Sequence, residues 1–112
     1  MVSKELIAAS TRPLVLSVLA KGESYGYAII QRVRELSGGE LQWSEGMLYP
    51  VLHRLEREKL ILSSWKTSDN GRRRKYYRLS AKGTRAIDAE RLQWYAVHET
   101  LAQLWGTKAC IA

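Results

Sequence analysis

Apolar residues recur at helical spacing in four stretches of the chain, and two short runs between the last two have strand character. Leu48, Val51, Leu52 and Leu55 fall at i, i+3, i+4 and i+7, which predicts one buried stripe of a helix running from Ser44 to about Lys59. Ser44 suits its N-cap, with Glu45 in the first turn. Pro50 removes the hydrogen bond to the Gly46 carbonyl and should bend the helix or leave its first turn irregular. The runs LILSSWKTS and RRRKYYRLS flank the turn signal Asp69-Asn70-Gly71 and predict a hairpin. Upstream, Leu6, Ile7, Leu14, Val15, Val18 and Leu19 predict a helix over residues 3–20. Pro13 either kinks it or opens a second helix capped by Ser10 or Thr11. Ser24 is expected to cap a helix with Ile29, Val33 and Leu36 inside, and Gly26 to mark a helix–helix contact. Gly38-Gly39 ends that helix, and Glu40–Trp43 is expected to pair with the hairpin as a short strand. Ser80 caps a last helix to about Trp105. On it Ile87, Trp94 and Leu101 recur every seven residues, with Val97 and Leu104 three after the latter two.

Two helices joined by a short glycine-bearing connection, then a hairpin with a basic tip, are the grammar of a winged helix-turn-helix. The predicted fold is mainly α with a small β-hairpin wing. It comprises a winged helix-turn-helix unit over residues 1–79 and a long C-terminal dimerisation helix over 80–112, in one compact unit. The helix from Ser44 would enter the major groove of duplex DNA. Ser44, Tyr49, His53, Arg54 and Arg57 lie off its apolar stripe and can donate, accept or neutralise charge. Arg72, Arg73, Arg74, Lys75 and Arg78 follow the turn, none adjoining an acid in sequence. Basic residues also protect edge strands, but beside a recognition helix they point to the DNA backbone.

Charge sharpens this reading. The 112 residues carry a formal net charge of +7. Residues 44–80 hold nine basic side chains against four acidic ones, so most of the excess sits in the proposed reading unit. A polyanion is the natural partner. No segment joins a strong apolar face to a basic one, which argues against a membrane surface, and no apolar run approaches the ~20 residues needed to span a bilayer. Cys110 is the only cysteine, so no intrachain disulfide can form, which fits a reducing cytoplasm. His53, His98 and Cys110 are too scattered for a metal set, and no CxxC, HxxxH, glycine-rich phosphate loop or triad occurs. Neither an enzyme, a metal nor a cofactor is expected. The alternative from another class is a winged-helix protein-docking module, which would gain nothing from consecutive arginines unless its partner were acidic. RNA would call for exposed aromatics on a sheet, which the pattern does not suggest.

The last helix has more apolar surface than a small domain can cover. Ile87, Trp94, Val97, Leu101 and Leu104 are therefore expected at a homodimer interface, with the first helix of the partner.

YGYAIIQRV, LYPVLHRLEREKLI and RRRKYYRLSAKG together resemble the PadR family of bacterial transcriptional regulators, over nearly the whole chain and closest to its branch with a single C-terminal helix. The resemblance implies a homodimeric winged-helix regulator, usually a repressor, on an inverted-repeat promoter site. By position it implies DNA contacts at Tyr25, Ser44, Tyr49, Pro50, His53, Arg54, Arg73 and Lys75. Departures are Tyr25, where the family often has histidine, Met47, where it often has a hydroxyl residue, and Pro13. In multidrug-sensing members a tryptophan from each subunit stacks on a flat aromatic effector at the dimer axis. Trp94 matches that tryptophan, and Leu6, Ala9, Arg12, Leu16 and His98 would line the same cleft. The alternative for Trp94 is interface packing, with Arg12, Glu90 and Arg91 filling the cleft as a salt-bridge network.

Overall fold

The computed structural model describes residues 2–106. Its elements are α1 (Lys4–Ala20), β1 (Ser24–Tyr25), α2 (Gly26–Leu36), α3 (Glu45–Arg57), β2 (Ile61–Thr67), β3 (Arg73–Leu79) and α4 (Ala81–Trp105). Ser44 and Ser80 cap helices as expected, and Ser3 caps α1 in the same way. Ser3, Ser44 and Ser80 accept from the amides of Leu6 (3.2 Å), Met47 (3.2 Å) and Gly83 (3.0 Å), each satisfying a donor that the helix itself cannot. Pro13 lies inside α1, which is a single helix.

The strands form an antiparallel sheet in the order β1-β3-β2. Trp65 faces Lys75 and Lys66 faces Arg74 across β2 and β3, while Tyr25 faces Tyr76 across β1 and β3. Two expectations fail here. The third strand is Ser24–Tyr25, not Glu40–Trp43. Trp43 instead turns inward, 5% exposed, and its burial anchors the α2–α3 connection in the core. Ser24 therefore does not cap α2. Tyr25 holds the cap position and offers no side-chain hydrogen bond.

α3 ends on a motif the sequence pattern concealed. The amide of Lys59 donates to Glu56 O and that of Leu60 to Leu55 O, both at 3.0 Å. This is a Schellman closure with Lys59, at φ 62°, where glycine is usual. The hairpin turn also differs from a two-residue Asn-Gly turn. Ser68 and Arg72 close a three-residue loop, the Ser68 amide donating to Arg72 O at 2.8 Å, and only Gly71 takes positive φ.

The core is one cluster. Val15, Leu16 and Leu19 of α1 meet Ile29 and Val33 of α2, Leu48, Leu52 and Leu55 of α3, and Leu60, Ile61, Tyr77 and Ile87. Leu36, expected inside, is 64% exposed, because it lies at the C-terminal end of α2, beyond the reach of that cluster. Within α4 only Gly83 and Ile87 are buried. Past Glu90 the helix leaves the core cluster, with only the N-terminal half of α1 beside it at Trp94 and Tyr95, and residues 91–100 are all exposed. Among the described residues no helix is long and apolar enough to cross a membrane.

Candidate nucleic-acid interface

Helical spacing sorts the outer side of α3 into two stripes. Glu45, Tyr49 and His53 make one, and Pro50, Arg54 and Arg57 the next. The first stripe forms one wall of a groove of about 830 Å³ whose other wall is the wing. Tyr25, Gly26 and Tyr27 close one end, and Trp65 with Arg72, Arg73, Arg74 and Lys75 supplies the basic side. The fold thus gathers Tyr25, Tyr49, His53 and the four wing cations in one place. Pro50 and Arg54 are exposed beside it, and Ser44 is exposed at the start of α3 with its hydroxyl serving the cap. Trp65, Gly26 and Tyr27 were not anticipated in this groove. Trp65 could have been found, since the cross-strand register sets it opposite Lys75.

Gly26 shapes the end of the groove. A Cβ at that position would stand 2.7 Å from Tyr49 Oη, so a larger residue would push the end of the tyrosine away from the start of α2. This is the close helix contact that Gly26 suggested.

The wing cations are not equivalent. The Arg74 guanidinium stacks on Tyr25 at 4.5 Å, and Tyr25 meets Tyr76 edge-on at 5.2 Å. Arg73 lies over Trp65 at 5.4 Å. Such stacking orients a guanidinium without consuming its hydrogen-bond donors. Lys75 is engaged inward, 3.5 Å from Glu56 and over the Tyr77 ring at 5.6 Å. The acid missing beside Lys75 in sequence thus arrives from α3. Lys66 pairs with Glu23 and covers Tyr76. Arg72, Arg73 and Arg74, like Arg54 and Arg57, form no ion pair among the described residues. Beneath the groove Tyr77 is held neutral, its phenol pushed up to about 12 by burial first, then by Glu56 and Tyr49.

A second groove, of about 470 Å³, lies between α1 and α4. Leu6 and Trp94 both line it, with Pro13, Leu14 and Tyr95, so the fold brings together these two of the expected effector-site residues. Leu16 is excluded from any such cleft, because its side chain points into the core and is 0% exposed. Ile87 is likewise a core residue at 2% exposure, since the first two turns of α4 still lie on the body of the domain. It reaches only the floor of the groove and is not free to form a dimer interface. Ala9 and His98 are exposed but do not line the groove. Arg12 is engaged elsewhere. Its Nε donates to Glu90 and its Nη1 to Glu58, each at 2.8 Å, and it holds the Glu58 carboxyl below the usual carboxylate range. The salt-bridge network is therefore real, but it runs through Arg12, Glu58 and Glu90 rather than Arg91, which pairs with Asp88 at 3.7 Å. Trp94, Val97 and Leu104 of the seam are exposed and Leu101 is half-buried. Cys110 lies outside the described residues.

A glycine-linked helix pair followed by a cation-rich hairpin, with a groove between the second helix and that hairpin, defines a winged helix-turn-helix regulator. Comparison narrows the class. Residues 15–89 match the transcriptional regulator PadR-like family, and the chain belongs to it. It is 36% identical over 88 residues to the transcriptional regulator Rv3488 of Mycobacterium tuberculosis, covering 79% of this chain and 78% of that protein. Among solved structures it is similar to a transcriptional regulator from Clostridium thermocellum, with a TM-score of 0.81 and 26% identity over 92% of this chain and 97% of the other. A PadR family transcription regulator from Clostridium difficile aligns with a TM-score of 0.76 and 33% identity, over 87% and 99%. The protein is thus a transcriptional regulator of this family and not an enzyme.

Proposed function

We propose that the protein is a cytoplasmic, homodimeric, sequence-specific DNA-binding repressor. The observation that carries this is the groove between α3 and the wing, where Tyr49 and His53 face Arg72, Arg73 and Arg74 and these three arginines have no acidic partner among the described residues. Unpaired guanidiniums beside polar helix residues suit phosphates on one side and base edges on the other. In this reading α3 enters the major groove through Tyr49, Pro50, His53 and Arg54. The wing lies on the adjacent backbone, and Tyr25 and Ser44 contact the flanking phosphates. Lys75 supports the wing through Glu56 rather than leading the contact.

Two copies would join through the free length of α4, because Trp94, Val97 and Leu104 expose a seam that one copy leaves uncovered. The operator is then an inverted repeat with half-sites about one helical turn apart. A small aromatic effector is proposed for the groove between Leu6 and Trp94. It would release the operator only to the extent that it prefers the non-binding dimer.

The test is selection of duplexes from a random-sequence pool by the purified protein, followed by binding across a salt series. Recovery of an inverted repeat with a steep salt slope supports the reading. Recovery of no sequence, with no binding at low salt, would favour a protein-docking role.

A further inference from the structure

The Arg12 guanidinium joins three helices. It projects from the middle of α1, Glu90 lies on α4, and Glu58 is the C-cap of α3, the proposed reading helix. Both bonds are 2.8 Å, and they leave different nitrogens of one rigid, planar group. The two carboxylates are therefore held in a fixed relation to each other, which an ammonium could not impose. A second tie comes from the first turn of α4, where Lys82 Nζ donates to the Glu58 carbonyl at 3.0 Å.

Position and burial argue against an ordinary surface pair. Arg12 and Glu58 are partly exposed, so the pair is screened and adds little to stability. Glu90 is less exposed, and its second oxygen is buried without a partner among the described residues. Glu90 thus depends on Arg12 for the charge that permits its burial. It also stands where α4 leaves the body, immediately before the ten exposed residues 91–100. Arg12 therefore occupies the junction between the free arm of α4 and the end of α3.

We propose that Arg12 is a positioning residue that fixes the angle between α3 and the free arm of α4, and through it the half-site spacing that the dimer accepts. The inference rests on the dimeric DNA-reading function proposed above. Two reading helices match DNA only at one separation, so any looseness between α3 and the dimerising arm broadens the range of spacings tolerated.

The experiment uses duplexes selected by the parent protein, rebuilt with the half-site spacing changed by one or two base pairs, and a duplex with a single half-site. The variants are Glu58→Ala, which leaves the Arg12–Glu90 pair in place, and Arg12→Lys, which keeps the charge but not the fork. We expect one base pair to cost the parent about tenfold in affinity and either variant less than about threefold, with single half-site binding within about twofold of the parent. Glu58→Ala with the parent's full spacing dependence would overturn the inference. So would a uniform loss on every duplex, the single half-site included, because that marks a merely structural role. A parent indifferent to spacing would overturn the dimeric reading and this inference with it, whereas recovery of no sequence at all would count against DNA reading itself.

Discussion

Gly83 sits against the carbonyl of Leu60. A Cβ at Gly83 would stand 2.0 Å from that oxygen and 3.0 Å from its carbon. The same carbonyl accepts from the Ser80 amide at 3.0 Å, so the start of α4 is seated directly on the turn between α3 and β2. The neighbour is backbone and cannot rotate away. Gly83→Ala should therefore destabilise the domain by about 3 kcal/mol or more. Urea unfolding of the variant checks this, and a loss under 1 kcal/mol would mean that α4 can lift off the turn at little cost.

Lys59 invites the opposite change. Its φ of 62° is one that a side chain resists, and its backbone amide already closes the end of α3. Lys59→Gly relieves that strain but adds freedom to the unfolded chain, and the net should be a gain of about 0.5–1 kcal/mol. Thermal melting should rise by a few degrees. No rise would show that the left-handed conformation is not strained in this closure.

Arg73→Ala should weaken binding to all duplexes by a similar factor and lower the salt slope by about one unit, as loss of one phosphate contact does. The motivation is the unpaired guanidinium over Trp65. Selective loss at one base step with an unchanged slope would instead make the wing a reader of bases.

Val97→Glu tests the seam. Val97 is 55% exposed in the single chain, so the substitution should leave the monomer folded while burying two like charges at a two-fold interface. Sedimentation should show a monomer with unchanged circular dichroism. A dimer of the parent's affinity would place the interface elsewhere.

Tyr77 gives an alkaline signature. Its phenol pKa is raised in the fold to about 12 from an ordinary 10.0. A raised folded value stabilises the neutral form, so that contribution is complete below pH 10 and is lost as pH rises towards 12. Tyr77→Phe should therefore lose less stability than the parent over that window. Parallel curves would mean that the phenol ionises as readily folded as unfolded.

Much of this was legible in the chain, because periodicity and caps are local. The spacing of Leu48, Leu52 and Leu55, and the serine caps at positions 44 and 80, depend on neighbours within a turn or two. The same holds for the basic run after Gly71, and the three motif segments pointed to the family that residues 15–89 match. Tertiary structure decided what a side chain meets across the fold. Periodicity put Ile87 and Leu101 on one seam, yet Ile87 is in the core and Leu101 lies on the free arm, because α4 leaves the body between them. Leu16 looked like a cleft residue and is wholly buried, since α1 is covered on more than one side. Ser24 looked like a cap and became a strand, because β3 had an open edge beside it. Glu56 and Glu58 were ordinary acids of a helix end until packing set them beside Lys75 and Arg12. A pair separated by 46 residues, as Arg12 and Glu58 are, leaves no periodic trace in a single sequence. Only the folded arrangement of α1, α3 and α4 brings the two together.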